Sequence, residues 1–173
     1  MIKKGMVVLG FLVLICICFL LYHEAAEVKY LLGEKISYNL NLQQITLGQM
    51  ETALDSQDID ALLFQSDVLT FLNASSQSSK NDERRLLWSR EYEKLAGVIS
   101  IIAVSVETDE QKKTNEIVKA HTIIDNLQRI NNLAIETCSR KELSTKEQME
   151  AYYELLIPGS KTNRKLEAAL EKD

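Results

Sequence analysis

WSREYEKLAGVISIIAVSV, residues 88–106, is the stretch on which the fold class turns. Its second half, VISIIAVSV, is rich in β-branched residues and would suit a strand. Its apolar residues argue otherwise. Trp88, Tyr92, Leu95, Ile99, Ile102 and Val106 recur at intervals of four and three. That spacing lines one side of a helix and forms a seam of bundle or coiled-coil type. A lone strand would also leave its N–H and C=O groups without partners, and no second strand-like run occurs in the chain. The segment is therefore expected to be helical, within a helix over Glu83–Glu107. Because it is apolar on every side, it is expected to be the central, most buried helix.

The flanking sequence carries the same period. From Glu34 to about Asp55, the residues Leu40, Leu47 and Leu54 are seven apart and Ile36 and Met50 fourteen apart. They form one stripe of an amphipathic helix. Gln43 and Gln44 interrupt it, as in a partly wet seam. Ile59, Leu62, Leu63, Leu69 and Leu72 predict a second helix to about residue 74. Asp55, Ser56 and Asp58 are suited to capping its start. Three aspartates in D-x-x-D-x-D could suggest a calcium loop, but the glycine and the closing glutamate of an EF-hand are missing. NASSQSSKND, 73–82, is polar and of low complexity, and is expected to be a surface loop. It contains the glycosylation sequon Asn73-Ala-Ser75, whose use is not expected. Thr108 or Asp109 can cap a further helix whose stripe is Ile117, Ala120, Ile124, Leu127, Ala134 and Cys138, with Asn131 at an otherwise apolar position. Ser144–Glu147 is a capping box for a helix carrying Met149, Tyr152, Tyr153 and Leu156. Pro158-Gly159 then stops that helix. One proline and six glycines in 173 residues fit few, long helices.

Upstream, residues 6–22, MVVLGFLVLICICFLLY, carry no charge. As a helix, this run spans roughly 25 Å at about 1.5 Å per residue, the short end of a bilayer crossing. Lys3 and Lys4 precede it and no acid occurs before Glu24, which places the N-terminus in the cytoplasm by the positive-inside rule. Tyr22 and His23 suit the far interface. A cleaved signal is disfavoured: cleavage after Ala25 or Ala26 would put His23 or Glu24 where a small residue is needed. The pair Cys16 and Cys18 lies inside the run. Ile15 and Ile17 precede the two thiols, where lipoprotein lipidation needs a small residue. On a helix, positions i and i+2 point about 200° apart, too far to share a metal ion. The two are taken as small apolar residues of the span.

These readings assemble into an all-α chain, a single N-terminal transmembrane helix followed by an antiparallel bundle of four to five helices. Its expected parts are a short cytoplasmic tail (1–5), a signal anchor (6–22), a juxtamembrane helix extension (23–33) with Gly33 as a candidate joint, a bundle domain (34–157) and a charged C-terminal helix or tail (158–173). The expected core comprises Leu47, Leu54, Leu62, Leu69, Trp88, Tyr92, Leu95, Ile99, Ile102, Ile124 and Leu127.

Function is constrained mostly by exclusion. The chain carries −5 overall, and −7 once Lys3 and Lys4 are set aside, from 18 basic against 25 acidic residues. Nucleic acid and anionic lipid are bound through clustered Lys and Arg, so neither is an expected partner. No Gly-rich phosphate loop, Cys-x-x-Cys, His-Glu-x-x-His or Gly-x-Ser-x-Gly occurs. No catalytic, cofactor-binding or metal-binding residues are assigned, and no cofactor is expected. An enzyme would need a pocket around acids or Tyr152 and Tyr153 that the sequence does not announce. His121 is expected to be a half-buried packing residue, and only His23 joins it as a second histidine. Cys138, on the apolar stripe, is expected to be buried and inert, with an interchain disulfide as the alternative. The leading expectation is a non-catalytic module anchored in the cell membrane, with most of the chain extracytoplasmic, binding another envelope protein or itself. The alternative is an extracytoplasmic bundle that senses a small molecule and acts through a partner membrane protein.

Overall fold

The computed structural model describes the backbone of residues 2–76, 86, 88–105 and 110–171, and the side chains of that set from residue 14 onward. Six helices occur among the described residues: α1 (Ile2–Asp55), α2 (Ile59–Ser75), α3 (Ser89–Ser105), α4 (Glu110–Cys138), α5 (Thr145–Glu154) and α6 (Lys161–Leu170). All-α is the fold class, and residues 89–105 are helical despite their β-branched content.

Helices α1 to α4 form a closed square. α1 packs on α2, α2 on α3, α3 on α4 and α4 on α1; among the described residues the backbones do not approach closely across either diagonal, which Tyr92 of α3 spans with its side chain to reach Gln43 of α1. The α1–α4 pair is antiparallel: Asp55, Glu51 and Gln43 meet groups level with His121, Gln128 and Asn131, so numbers fall on one helix as they rise on the other. α5 lies on α1 and α4, and α6 on α4 and α5. All eleven residues expected in the core are buried there, joined by Ile36, Leu40, Met50, Ala120, Tyr152, Leu155 and Leu166 among others.

The square corrects one expectation. α3 is a corner of the bundle: its backbone lies against α2 and α4, and it reaches α1 through the Tyr92 side chain. A helix in a four-membered ring buries the side facing its two neighbours and leaves the rest to solvent. Its surplus apolar residues therefore point out: Val104 is 77% exposed and Ile101 40%. The most extensive packing belongs to α1, against α2, α4 and α5, while α4 lies against four helices, α1, α3, α5 and α6. Val106 and the capping candidates Thr108 and Asp109 lie outside the described residues.

Local chemistry sets the ends of the helices. The α1–α2 turn is tight: Gln57 takes a left-handed φ of 55°, and Asp58 caps α2 by accepting from the Ala61 N–H at 3.0 Å. Of the three aspartates Asp58 is the cap, while Asp60 lies in the first turn of α2 and Asp55 ends α1 beside His121; no metal-holding group of His, Cys, Asp or Glu occurs among the described residues. The capping box at α5 is complete, with Ser144 N–H donating to Glu147 at 2.8 Å and Glu147 N–H donating to Ser144 Oγ. The Ser144 hydroxyl, donating to the Glu147 carboxylate at 2.7 Å, and then the Ser144 N–H hold that carboxyl below the usual carboxylate range. α5 ends at Glu154, and the turn through Pro158 and Gly159 (φ 70°) leads to Ser160, which caps α6.

Two further expectations change. The polar stretch from residue 73 begins inside α2, which continues to Ser75. Asn73 and Ser76 are buried, and Asn73 Nδ2 donates to the Ser89 carbonyl at 3.4 Å, so the folded chain does not present the sequon. Residues 77–82 of that stretch lie outside the described residues. Gly33 is no joint, since α1 passes through it unbroken. A Cβ there would stand 1.9 Å from the Met149 carbonyl oxygen, so the missing side chain is what lets α5 cross against α1.

A candidate interaction surface and a buried polar layer

A polar layer in the interior is built from three helices. Asn131 of α4 sits at full burial on an otherwise apolar stripe. Its Oδ1 accepts from Trp88 Nε1 at 3.0 Å and from the Tyr92 hydroxyl at 2.9 Å, both on or beside α3. The Tyr92 oxygen also lies 3.0 Å from the amide of Gln43 on α1. A phenol has one proton, and Asn131 takes it. The Gln43 contact is therefore satisfied with the amide turned so that its NH2 donates to the phenol oxygen. Burial pushes the Tyr92 hydroxyl well above its ordinary range, so it stays protonated. A half-satisfied polar layer is costly unless its helices hold one register, so this layer fixes how α1, α3 and α4 align. The sequence flagged Gln43 and Asn131 as interruptions of their stripes; their meeting point needed the fold.

Cys138 is fully buried, and desolvation, with the charge of Glu154 adding, pushes its thiol up to about 12. His121 is half-buried at the surface, with Nε2 3.5 Å from Asp55 Oδ1. Tyr152 is buried and its hydroxyl meets Ser139 Oγ at 2.6 Å, so it supports the packing of α5 on α4. Cys16 and Cys18 are exposed on α1.

The outer surface is more informative. Leu14 through Tyr22 are exposed on every face of α1. Beyond Tyr22, the large apolar residues exposed on α1 are Val28, Leu31, Tyr38 and Ile45. All four fall on one line of 3-4 spacing, which runs Leu14, Ile17, Leu21, Glu24, Val28, Leu31, Lys35, Tyr38, Leu42, Ile45. Its exposed apolar members are between 48% and 65% accessible, and Leu42 is half-buried. This line lies opposite the core stripe of Ile36, Leu40, Leu47, Met50 and Leu54. α1 therefore carries two seams, one used inside the bundle and one open.

α2 broadens the open seam. A cleft on the outer side of the α1–α2 pair is lined by Gln49 and Thr52 of α1 and by Ala61 and Gln65 of α2. From it, Gln49, Ile45, Leu42 and Tyr38 ascend one helix in 3-4 steps, and Ala61, Phe64, Val68, Phe71 and Ser75 ascend the other. The second row ends where Ser75 Oγ accepts from Asn39 Nδ2 of α1 at 2.8 Å, so the two rows stay side by side. Phe64 and Phe71 are 64% and 72% exposed. The result is an apolar face along the outer side of the α1–α2 pair, the kind of surface on which a helix can lie. The sequence assigned Leu63 to the core stripe of α2 and gave no reason to mark Phe64 or Phe71.

Fold and surface together define an all-helical bundle built on one long N-terminal helix, with an apolar seam left open along it. No protein-family model, curated protein or solved structure matches the chain.

Proposed function

We propose that this chain is a non-catalytic, membrane-anchored module whose helical bundle binds another protein at the outer face of the cell membrane. Residues 6–22 are the anchor, the N-terminus is cytoplasmic, and the bundle is extracytoplasmic. Among the described residues no helix is long and apolar enough to cross a membrane. The anchor reading therefore rests on the whole apolar run, of which the side chains of residues 6–13 lie outside the described set. Two features support it. The helix that begins at Ile2 is continuous with the bundle. Leu14, Ile15, Ile17, Phe19, Leu20 and Leu21 face outward on all sides, where water would be unfavourable and lipid would not.

The open seam is the observation that carries the binding role. A contiguous exposed apolar surface on an otherwise polar domain marks an interaction site. The test is extraction of the full chain from membranes, followed by proteolysis of intact cells or sealed spheroplasts. The expected result is resistance to carbonate washing and digestion of the bundle by protease added outside. Release by carbonate, or protection from external protease, overturns the anchor or its orientation respectively.

A further inference from the structure

The open seam of α1 contains two charges, and they specify its occupant. Of its ten positions, eight are apolar, and the exceptions are Glu24 and Lys35, both exposed. A helix that fills the seam meets an acid just outside the membrane and a base three turns further on. In such a seam, a like charge facing each of these repels, and an opposite charge completes an ion pair.

A second copy of this chain is poorly suited. This step rests on the anchor reading: two copies inserted in one membrane run parallel, which sets Glu24 against Glu24 and Lys35 against Lys35. We infer that the seam docks a helix of a different membrane protein. That helix spans the bilayer beside residues 14–21 and continues outward to the level of Ile45. It is apolar along its contact line, with Lys or Arg level with Glu24 and Asp or Glu level with Lys35. Its outer part lies on the apolar face of the α1–α2 pair, against Tyr38, Ile45, Phe64 and Phe71. Apolar contact supplies the affinity, and the two charges supply the choice of partner.

The full chain can serve as its own probe. The double variant E24K/K35E carries the complementary charges at the same two levels and keeps every apolar seam residue. Wild-type and variant chains, labelled at their N-termini with donor and acceptor dyes, are reconstituted together and separately in phosphatidylcholine vesicles. The inference expects energy transfer in the mixture to exceed that of either chain alone at equal density by roughly fivefold, the scale of two exposed pairs passing from repulsion to attraction. That excess should shrink as salt is raised. Adding Tyr38→Glu to both chains should abolish it while the helical circular dichroism stays unchanged, because Tyr38 is 65% exposed.

Wild-type chains that pair with themselves as strongly as the mixture overturn the inference in favour of a second copy. Chains that insert without pairing in any combination overturn it by showing that the seam does not accept a helix. Flotation of the vesicles is scored separately. Chains left behind in the dense fraction overturn the anchor, and with it the parallel geometry on which the choice of partner depends.

Discussion

At the residue scale, single polar groups decide more than their number suggests. Asn131 accepts two hydrogen bonds from buried donors, Trp88 Nε1 and the Tyr92 hydroxyl. Asn131→Leu removes the acceptor and orphans Trp88 Nε1 in the core, while the Tyr92 hydroxyl can turn to the carbonyl oxygen of Gln43. The expected loss is about 1–3 kcal/mol, the cost of one orphaned buried group, measured by urea denaturation. Cys138 is fully buried and its thiol is pushed up to about 12, so little thiolate forms at neutral pH. The folded chain should show no Cys138-dependent dimer band on non-reducing gels, and this thiol should react with a disulfide reagent only once denaturant is added. Gln57 holds a left-handed φ of 55° that glycine adopts without a Cβ penalty. Gln57→Gly should therefore raise the midpoint of thermal unfolding, by up to about 1 kcal/mol of stability.

At the scale of elements, the contact that matters most is the crossing of α1 by α5. Gly33→Ala places a methyl 1.9 Å from the Met149 carbonyl oxygen, and backbone cannot move aside as a side-chain tip can. The expected cost is about 1–3 kcal/mol from overpacking, localised to the α5–α6 pair. Hydrogen exchange should accelerate across residues 145–154 and leave the α3 amides near their original rates. The same helix carries a pH response. The Glu147 carboxyl is held below the usual range in the folded chain by its bonds to Ser144. Its contribution is thus fully present above the unfolded-state carboxylate pKa and is lost as pH falls through the lower folded value. Exchange protection at the start of α5 should fade across that acid window, and Glu147→Gln should flatten the dependence.

At the scale of the molecule, one helix serves two environments. α1 is 54 residues long, about 80 Å at 1.5 Å per residue, and the bundle covers only its C-terminal part. The square of α1–α4 leaves every member with an outward side, and on α1 and α2 that side is apolar. A binding module that exposes such a surface should self-associate weakly or collect hydrophobic probes until its partner covers it. A fluorescent hydrophobic probe should accordingly bind the native chain, and Phe64→Ser with Phe71→Ser should reduce that signal with little change in stability, since both rings face solvent.

The sequence by itself determined the all-helical class, the core stripes and most helix boundaries. The reason is that a helix buries one side at a fixed period, and an apolar stripe records that period directly. Leu47, Leu54, Tyr92, Ile99 and Leu127 were legible for this reason. It also marked Gln43 and Asn131 as exceptions to their stripes. What it left open was which stripes meet, because periodicity along one helix says nothing of its neighbours. Hence α3, apolar all round, became a corner while α1 and α4 carry most of the packing, and Gly33, which suggested a joint, became a crossing point. For the same reason the open seam of α1 emerged only from the tertiary structure. Its apolar residues are indistinguishable in sequence from core residues until the packing shows which side of the helix is already occupied.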